Sequence, residues 1–103
     1  MTAYLRGDEI ENREALHRAL AWQLDFPDYY GRNLDALYDV LTSVSSPVRI
    51  IFSEEDLLRE HLGGYYDLLR SVLEDVCEQN ENVSVSLEDP PESEGPDAEA
   101  WGE

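Results

Sequence analysis

The sequence predicts an α/β protein: a three-stranded parallel sheet with four helices, in the order β-α-α-β-α-α-β. Short runs with strand character occur at residues 3–5, 48–52 and 83–87. Between them lie two stretches of helical periodicity, each interrupted once, by the segment Pro27 to Arg32 and by Gly63-Gly64. Crossovers that long connect parallel strands, whereas antiparallel neighbours need only a tight turn.

Ala3-Tyr4-Leu5 forms the first strand candidate, closed by Gly7-Asp8. Asn12 is a plausible N-cap, because its side chain can accept from the first-turn amides. Leu16, Leu20 and Leu24, with Ala15 and Ala19, then make one apolar helical stripe. Pro27 ends it, since the residue before a proline is pushed out of helical geometry. Asp28-Tyr29-Tyr30-Gly31-Arg32 has turn chemistry. Asn33 caps the next helix, whose apolar positions are Leu34, Leu37, Leu41 and Val44, with Val40 on the flank and Ser45-Ser46-Pro47 as the stop.

Val48 to Phe52 is β-branched, short and continuous, as a buried strand requires. Ser53 and Asp56 have the spacing of a capping box for a short helix through Leu57, Leu58 and Leu62. After Gly63-Gly64 a longer helix carries Tyr65, Leu69, Val72 and Val76 on one side, with Leu68 and Leu73 adjoining. Asn80 to Asn82 is a turn, and Val83 to Leu87 alternates as a third strand. The globular domain is therefore expected over residues 1–87. Residues 88–103 are rich in carboxylates, proline and glycine and are expected to form a disordered acidic tail, in which Trp101 reads as incidental.

The 103 residues, 42% of them hydrophobic, suit one domain. The net charge is −17, and every basic residue is arginine. Such a chain repels nucleic acid and anionic membranes and attracts basic proteins; solubility alone is the competing explanation. Cys77 stands alone, which excludes an internal disulfide, and falls in an apolar helical pattern as a small core residue. The first residues lack the basic start and apolar run of a signal peptide, and no apolar stretch approaches the ~20 residues that span a bilayer. A cytoplasmic protein, monomeric when free, is the expectation.

The helix after Asn33 carries the chemistry. On a wheel of about 100° per residue, Asp35, Tyr38, Asp39 and Thr42 fall together, away from the apolar side, and so face outward. Asp35 suits the helix dipole in the first turn. Asp39 gains little from the dipole and has no arginine at i±3 or i±4. Like charges at this spacing cost an isolated helix about 0.2–0.5 kcal/mol. A solvated face is the plain reading of two aspartates. Beside them, however, stand Tyr29 and Tyr30, aromatics with polar tips of the kind enriched at interfaces. Together they describe a surface shaped to meet a cationic pocket. Catalysis is not expected: the carboxylates sit on a convex face, His17 and His61 lie on other helices as surface residues, and no nucleophile has a base at a matching spacing. No metal or other cofactor is expected, because no His/Cys spacing fits and carboxylates without a ligating loop bind Ca²⁺ weakly.

The stretch Phe26-Pro27-Asp28-Tyr29-Tyr30-Gly31-Arg32-Asn33-Leu34-Asp35-Ala36-Leu37-Tyr38-Asp39 resembles the signature of the barstar family, intracellular inhibitors of barnase-type ribonucleases. The likeness runs from about Ala3 to Leu87. It implies the same three-stranded parallel fold. It also implies that the helix and loop plug the basic active site of a secreted, guanyl-preferring ribonuclease in a 1:1 complex. By position, Asp39 would meet the groups that bind the scissile phosphate, Asp35 would add charge in the same cleft, and Tyr29 would lie on the catalytic histidine. Tyr30, Asn33, Tyr38 and Thr42 would line the contact, Gly31 would allow close backbone approach, and Glu74 would add a further acidic contact. The barnase–barstar pair is itself the reference case for electrostatic steering of association.

This chain departs from the common family pattern at Arg32 (glutamate in the better-known member), at Tyr38 and Val44 (often tryptophan) and at Ser43 (often glycine). Arg32 would repel a strongly basic cleft unless it pairs with Asp28 or Asp35. An immunity or regulatory protein for a non-barnase toxin, and a general acidic decoy for basic proteins, are the alternatives.

Overall fold

The computed structural model describes residues 1–88, and the expected acidic tail lies outside the described residues apart from Glu88. The order is β1 (Thr2–Arg6), α1 (Arg13–Leu24), α2 (Leu34–Thr42), β2 (Val48–Ser53), α3 (Glu55–Leu62), α4 (Gly64–Gln79) and β3 (Val83–Glu88). The strands form one sheet in the order β1-β2-β3, and both pairings are parallel. The β-α-α-β-α-α-β arrangement matches the sequence expectation.

Register sorts the side chains. Ala3, Ile50 and Val85 lie in one row, Leu5, Phe52 and Leu87 in the next, and Val48 pairs with Val83. Those rows face the helices; Ala3, Leu5, Ile50 and Phe52 are fully buried there. Leu16, Leu20, Leu37, Leu41, Leu58, Leu69, Leu73 and Val76 close the core from the helical side. Among the described residues the opposite sheet face carries little cover: Thr2, Tyr4, Arg49, Ser84 and Ser86 are exposed, while Ile51 is buried by its neighbours. The β1 edge is blunted by one side chain. Gln23 accepts from the Tyr4 amide at 2.7 Å and donates to the Tyr4 carbonyl at 2.9 Å, standing in for a fourth strand.

Several local expectations hold for the reasons proposed. Asn12 accepts from the Ala15 amide at 2.8 Å, and Asn33 accepts from the Ala36 amide at 2.7 Å. Helix α1 ends at Asp25 in left-handed geometry, two residues before Pro27. The Asn80 side-chain Nδ2 donates to the Leu41 and Val44 carbonyls at 3.0 and 2.9 Å, which satisfies acceptors at the end of α2.

Others need correction. Ser53 does not cap α3, because β2 runs through it and pairs it with Arg6 and Glu88. Glu54 takes the N-cap position in a left-handed conformation without a side-chain cap, and its carboxylate accepts instead from the Asp8 amide at 3.0 Å. On α4 the buried stripe is Tyr66, Leu69, Leu73 and Val76; Leu68 points outward. His17 is not a surface histidine but is 1% exposed. No helix among the described residues is long and apolar enough to cross a membrane.

Candidate functional site

The segment between α1 and α2 is held from beneath. The Tyr30 amide donates to the Pro27 carbonyl at 3.0 Å and closes a turn. The Tyr30 ring then enters the core edge-on against Phe26, with centroids 4.8 Å apart. Its hydroxyl lies 2.6 Å from His17 Nδ1, while His17 Nε2 lies 2.7 Å from the Tyr65 hydroxyl. One histidine thus ties α1 to both the loop and α4. A neutral imidazole has one donor and one acceptor nitrogen, so one tyrosine donates to it and the other accepts. Burial, assisted by the Arg13 charge, pulls the His17 pKa below the usual range and keeps the ring neutral. Burial likewise pushes the Tyr30 hydroxyl well above its ordinary value.

The residues expected at the contact divide accordingly. Tyr30 is 7% exposed, so its side chain is a pillar under the loop and not part of its outer surface. The alternation of the turn throws the adjacent Tyr29 outward to 86% exposure. Gly31 has no positive φ; a Cβ there would stand 3.3 Å from both the Ala36 Cβ and the Asn33 side-chain Nδ2, a tight fit that would make those neighbours give by a few tenths of an ångström. The left-handed residue is Arg32, with φ of 59°.

Asp35 and Asp39 are exposed on α2, and neither forms an ion pair among the described residues. The backbone under Asp39 is fixed: its carbonyl accepts from Ser43 Oγ at 2.8 Å and from Thr42 Oγ1 at 3.2 Å. Thr42 also donates to the Tyr38 carbonyl at 2.7 Å, so its hydroxyl is turned onto the helix. Tyr38 is half-buried and packs against the core.

The α2 ridge separates two clefts. Tyr29 and Asp39 share one of about 540 Å³, walled mainly by Phe26, Pro27, Val40, Val44 and Pro47. Asn33 and Asp35 border another of about 580 Å³, with Arg13, Arg18 and Arg32. Glu74 lines neither; it is exposed on α4 beside Arg70, Cys77 and Val85. Among the described residues no group of three or more His, Cys, Asp or Glu side chains could hold a metal ion.

Sequence reasoning passed over two features here. Trp22 is 85% exposed on α1, although it lies two positions past Leu20 and so opposite the leucine stripe on a helical wheel. The gathering of three arginines at one cleft was not legible, because Arg32 is brought to Arg13 and Arg18 only by the fold of the loop.

The fold and this surface define a class: a small parallel α/β protein whose charged chemistry stands on a convex helix and its entering loop. The family model described as Barstar (barnase inhibitor) matches residues 1–89. The chain is 43% identical over 74 residues to the Bacillus subtilis (strain 168) protein named "Putative ribonuclease inhibitor YrdF", a match covering 71% of this chain and 81% of that relative. The chain belongs to the barstar family.

Proposed function

We infer that the protein inhibits a secreted, barnase-type ribonuclease by inserting α2 and the preceding loop into the enzyme's basic active site. The observation that carries this reading is the pair Asp35 and Asp39, exposed on α2 beside the outward Tyr29 and in no ion pair among the described residues. A ribonuclease gathers positive charge to hold phosphate and to stabilise its transition state. Two fixed carboxylates imitate that phosphate and offer no bond to cleave. The side chains assigned to the contact are Tyr29, Asn33, Asp35, Tyr38, Asp39 and Thr42, with Gly31 admitting the partner's backbone and Glu74 an outlying contact. Tyr30 supports them from the core. The complex is 1:1, and it forms in the cytoplasm of the producing cell before the enzyme is exported.

The test is RNA cleavage by barnase, and by the guanyl-preferring ribonuclease of the producing organism, with the inhibitor titrated through equimolar. Cleavage should stop near one equivalent with at least one of them. Undiminished cleavage by both would overturn the reading. Association should slow steeply as salt screens the opposed charges. Deleting residues 89–103 should change potency little, whereas a general acidic decoy would lose as much by that deletion as by Asp39→Ala.

A further inference from the structure

The seven arginines divide into two groups. Arg6 is paired with Asp8 and Glu9, Arg59 with Glu55 and Asp67, and Arg70 with Glu55. Arg13, Arg18, Arg32 and Arg49 have no ion pair among the described residues, and three of these four line one cleft between α1 and the start of α2. In a chain of net charge −17, carboxylates are plentiful and guanidiniums scarce. Three guanidiniums gathered at one place, none in an ion pair among the described residues, are therefore a concentrated exception to the field around them.

Arg32 strengthens the point. It is held at φ of 59°, a conformation that costs a side-chain-bearing residue and that glycine adopts freely. Among the described residues it forms no ion pair with Asp28 or Asp35, the pairing that would have spared it from repelling a basic cleft. Nothing inside the fold requires its charge. Arg13 packs over the Tyr65 ring at 5.4 Å from the centroid, which orients it while leaving its donors free of carboxylates. Exposed Trp22 shares a neighbouring cleft with Arg18 and Arg32.

The occupant follows from charge and composition. Glu14 and Asp35 also border the cleft, so the five side chains leave one net positive charge. That is a poor trap for a free phosphate dianion, which Asp35 would repel at the α2 N-terminus. It suits a single carboxylate delivered by a protein whose other contacts bring it there. Arginine and tryptophan are among the residues enriched at protein contacts. The cleft is also continuous with the inhibitory surface, since Asn33 and Asp35 belong to both.

Resting on the inhibitor reading, we propose that Arg13, Arg18 and Arg32 receive an acidic side chain on the ribonuclease, next to its basic groove. The interface is thus bipolar: carboxylates of α2 enter the groove, and guanidiniums beside them meet an acidic rim. Nucleases that lack such a carboxylate bind less tightly, so the cleft selects among enzymes that all share a phosphate site.

The experiment measures inhibition of a panel of purified barnase-type ribonucleases, including barnase and the enzyme of the producing organism. The inhibitors are the full chain, Asp39→Ala, the triple variant R13Q/R18Q/R32Q, and Arg32→Gly. Against at least one enzyme that Asp39→Ala weakens, the triple variant should lose about tenfold or more in affinity, the scale of several rim charge pairs. Arg32→Gly should weaken the same enzyme while holding or raising the melting temperature, because it removes the charge and relieves the backbone. A smaller loss with the triple variant against every such enzyme overturns the inference and leaves the inhibitor reading intact. If Asp39→Ala weakens none, the inhibitor reading fails and the inference falls with it. Inorganic phosphate or citrate raising the melting temperature of the full chain but not of the triple variant would assign the cleft to a free anion, which also overturns it.

Discussion

The loop before α2 has an underside and an outer side that follow opposite rules. Underneath, polar groups find partners inside the fold: Tyr30 and Tyr65 bracket His17, and Asn33 caps the helix. Outside, Tyr29 is solvated, Arg32 is strained, and Arg32, Asp35 and Asp39 form no ion pair among the described residues. Matching beneath is what fixes the geometry; mismatch above leaves groups whose interactions remain to be made. A partner that supplies the missing charges gains both the new contacts and the relief of existing repulsion, at little cost in ordering the loop.

Substitutions can pull the two sides apart. The largest effect belongs to the outer side. Asp39→Ala should cost at least about 3 kcal/mol of binding to the target ribonuclease, a scale for which barnase–barstar is itself the reference measurement. Its folding stability, read by urea denaturation, should stay within about 0.5 kcal/mol. A comparable loss of stability would mean that the carboxylate braces the fold.

Next comes the underside. His17→Leu should lower folding stability by about 2–3 kcal/mol, because two tyrosine hydroxyls lose partners in the interior. Asn33→Ala should cost about 1 kcal/mol of stability through the lost cap. Measured on the folded fraction, both should weaken binding less than Asp39→Ala does.

The smallest effect is a pH dependence. Burial depresses the His17 pKa in the folded state below its unfolded value of 6.5. Protons therefore bind the unfolded chain preferentially as pH falls. The contribution of His17 to stability is complete above about pH 6.5, declines below it, and is lost as pH passes the depressed folded value. Denaturation curves for His17→Leu should lack this component. An unchanged decline in the variant would assign it to other groups.

Much of this was legible in advance where one local cause suffices. The apolar stripe of α2 is repeated at helical spacing, so its outward face and the exposure of Asp35 and Asp39 follow from periodicity. Asn12 and Asn33 cap because a side-chain oxygen one turn ahead of a free amide needs no distant partner. The Ser53–Asp56 spacing carries the same local signal, yet strand pairing with Arg6 and Glu88 overrode it. Tyr29 and Tyr30 look alike in the text; only the turn geometry sends one into water and the other to His17.

The amino-acid sequence alone determined the order of elements, the parallel sheet and the anionic ridge, because hydrophobic period and crossover length act within a few neighbours. Tertiary structure decided what meets across the chain: His17 between tyrosines from two other segments, and Arg32 beside Arg13 and Arg18. The physical reason is that burial and charge density depend on distances through space, which packing sets and spacing along the chain does not.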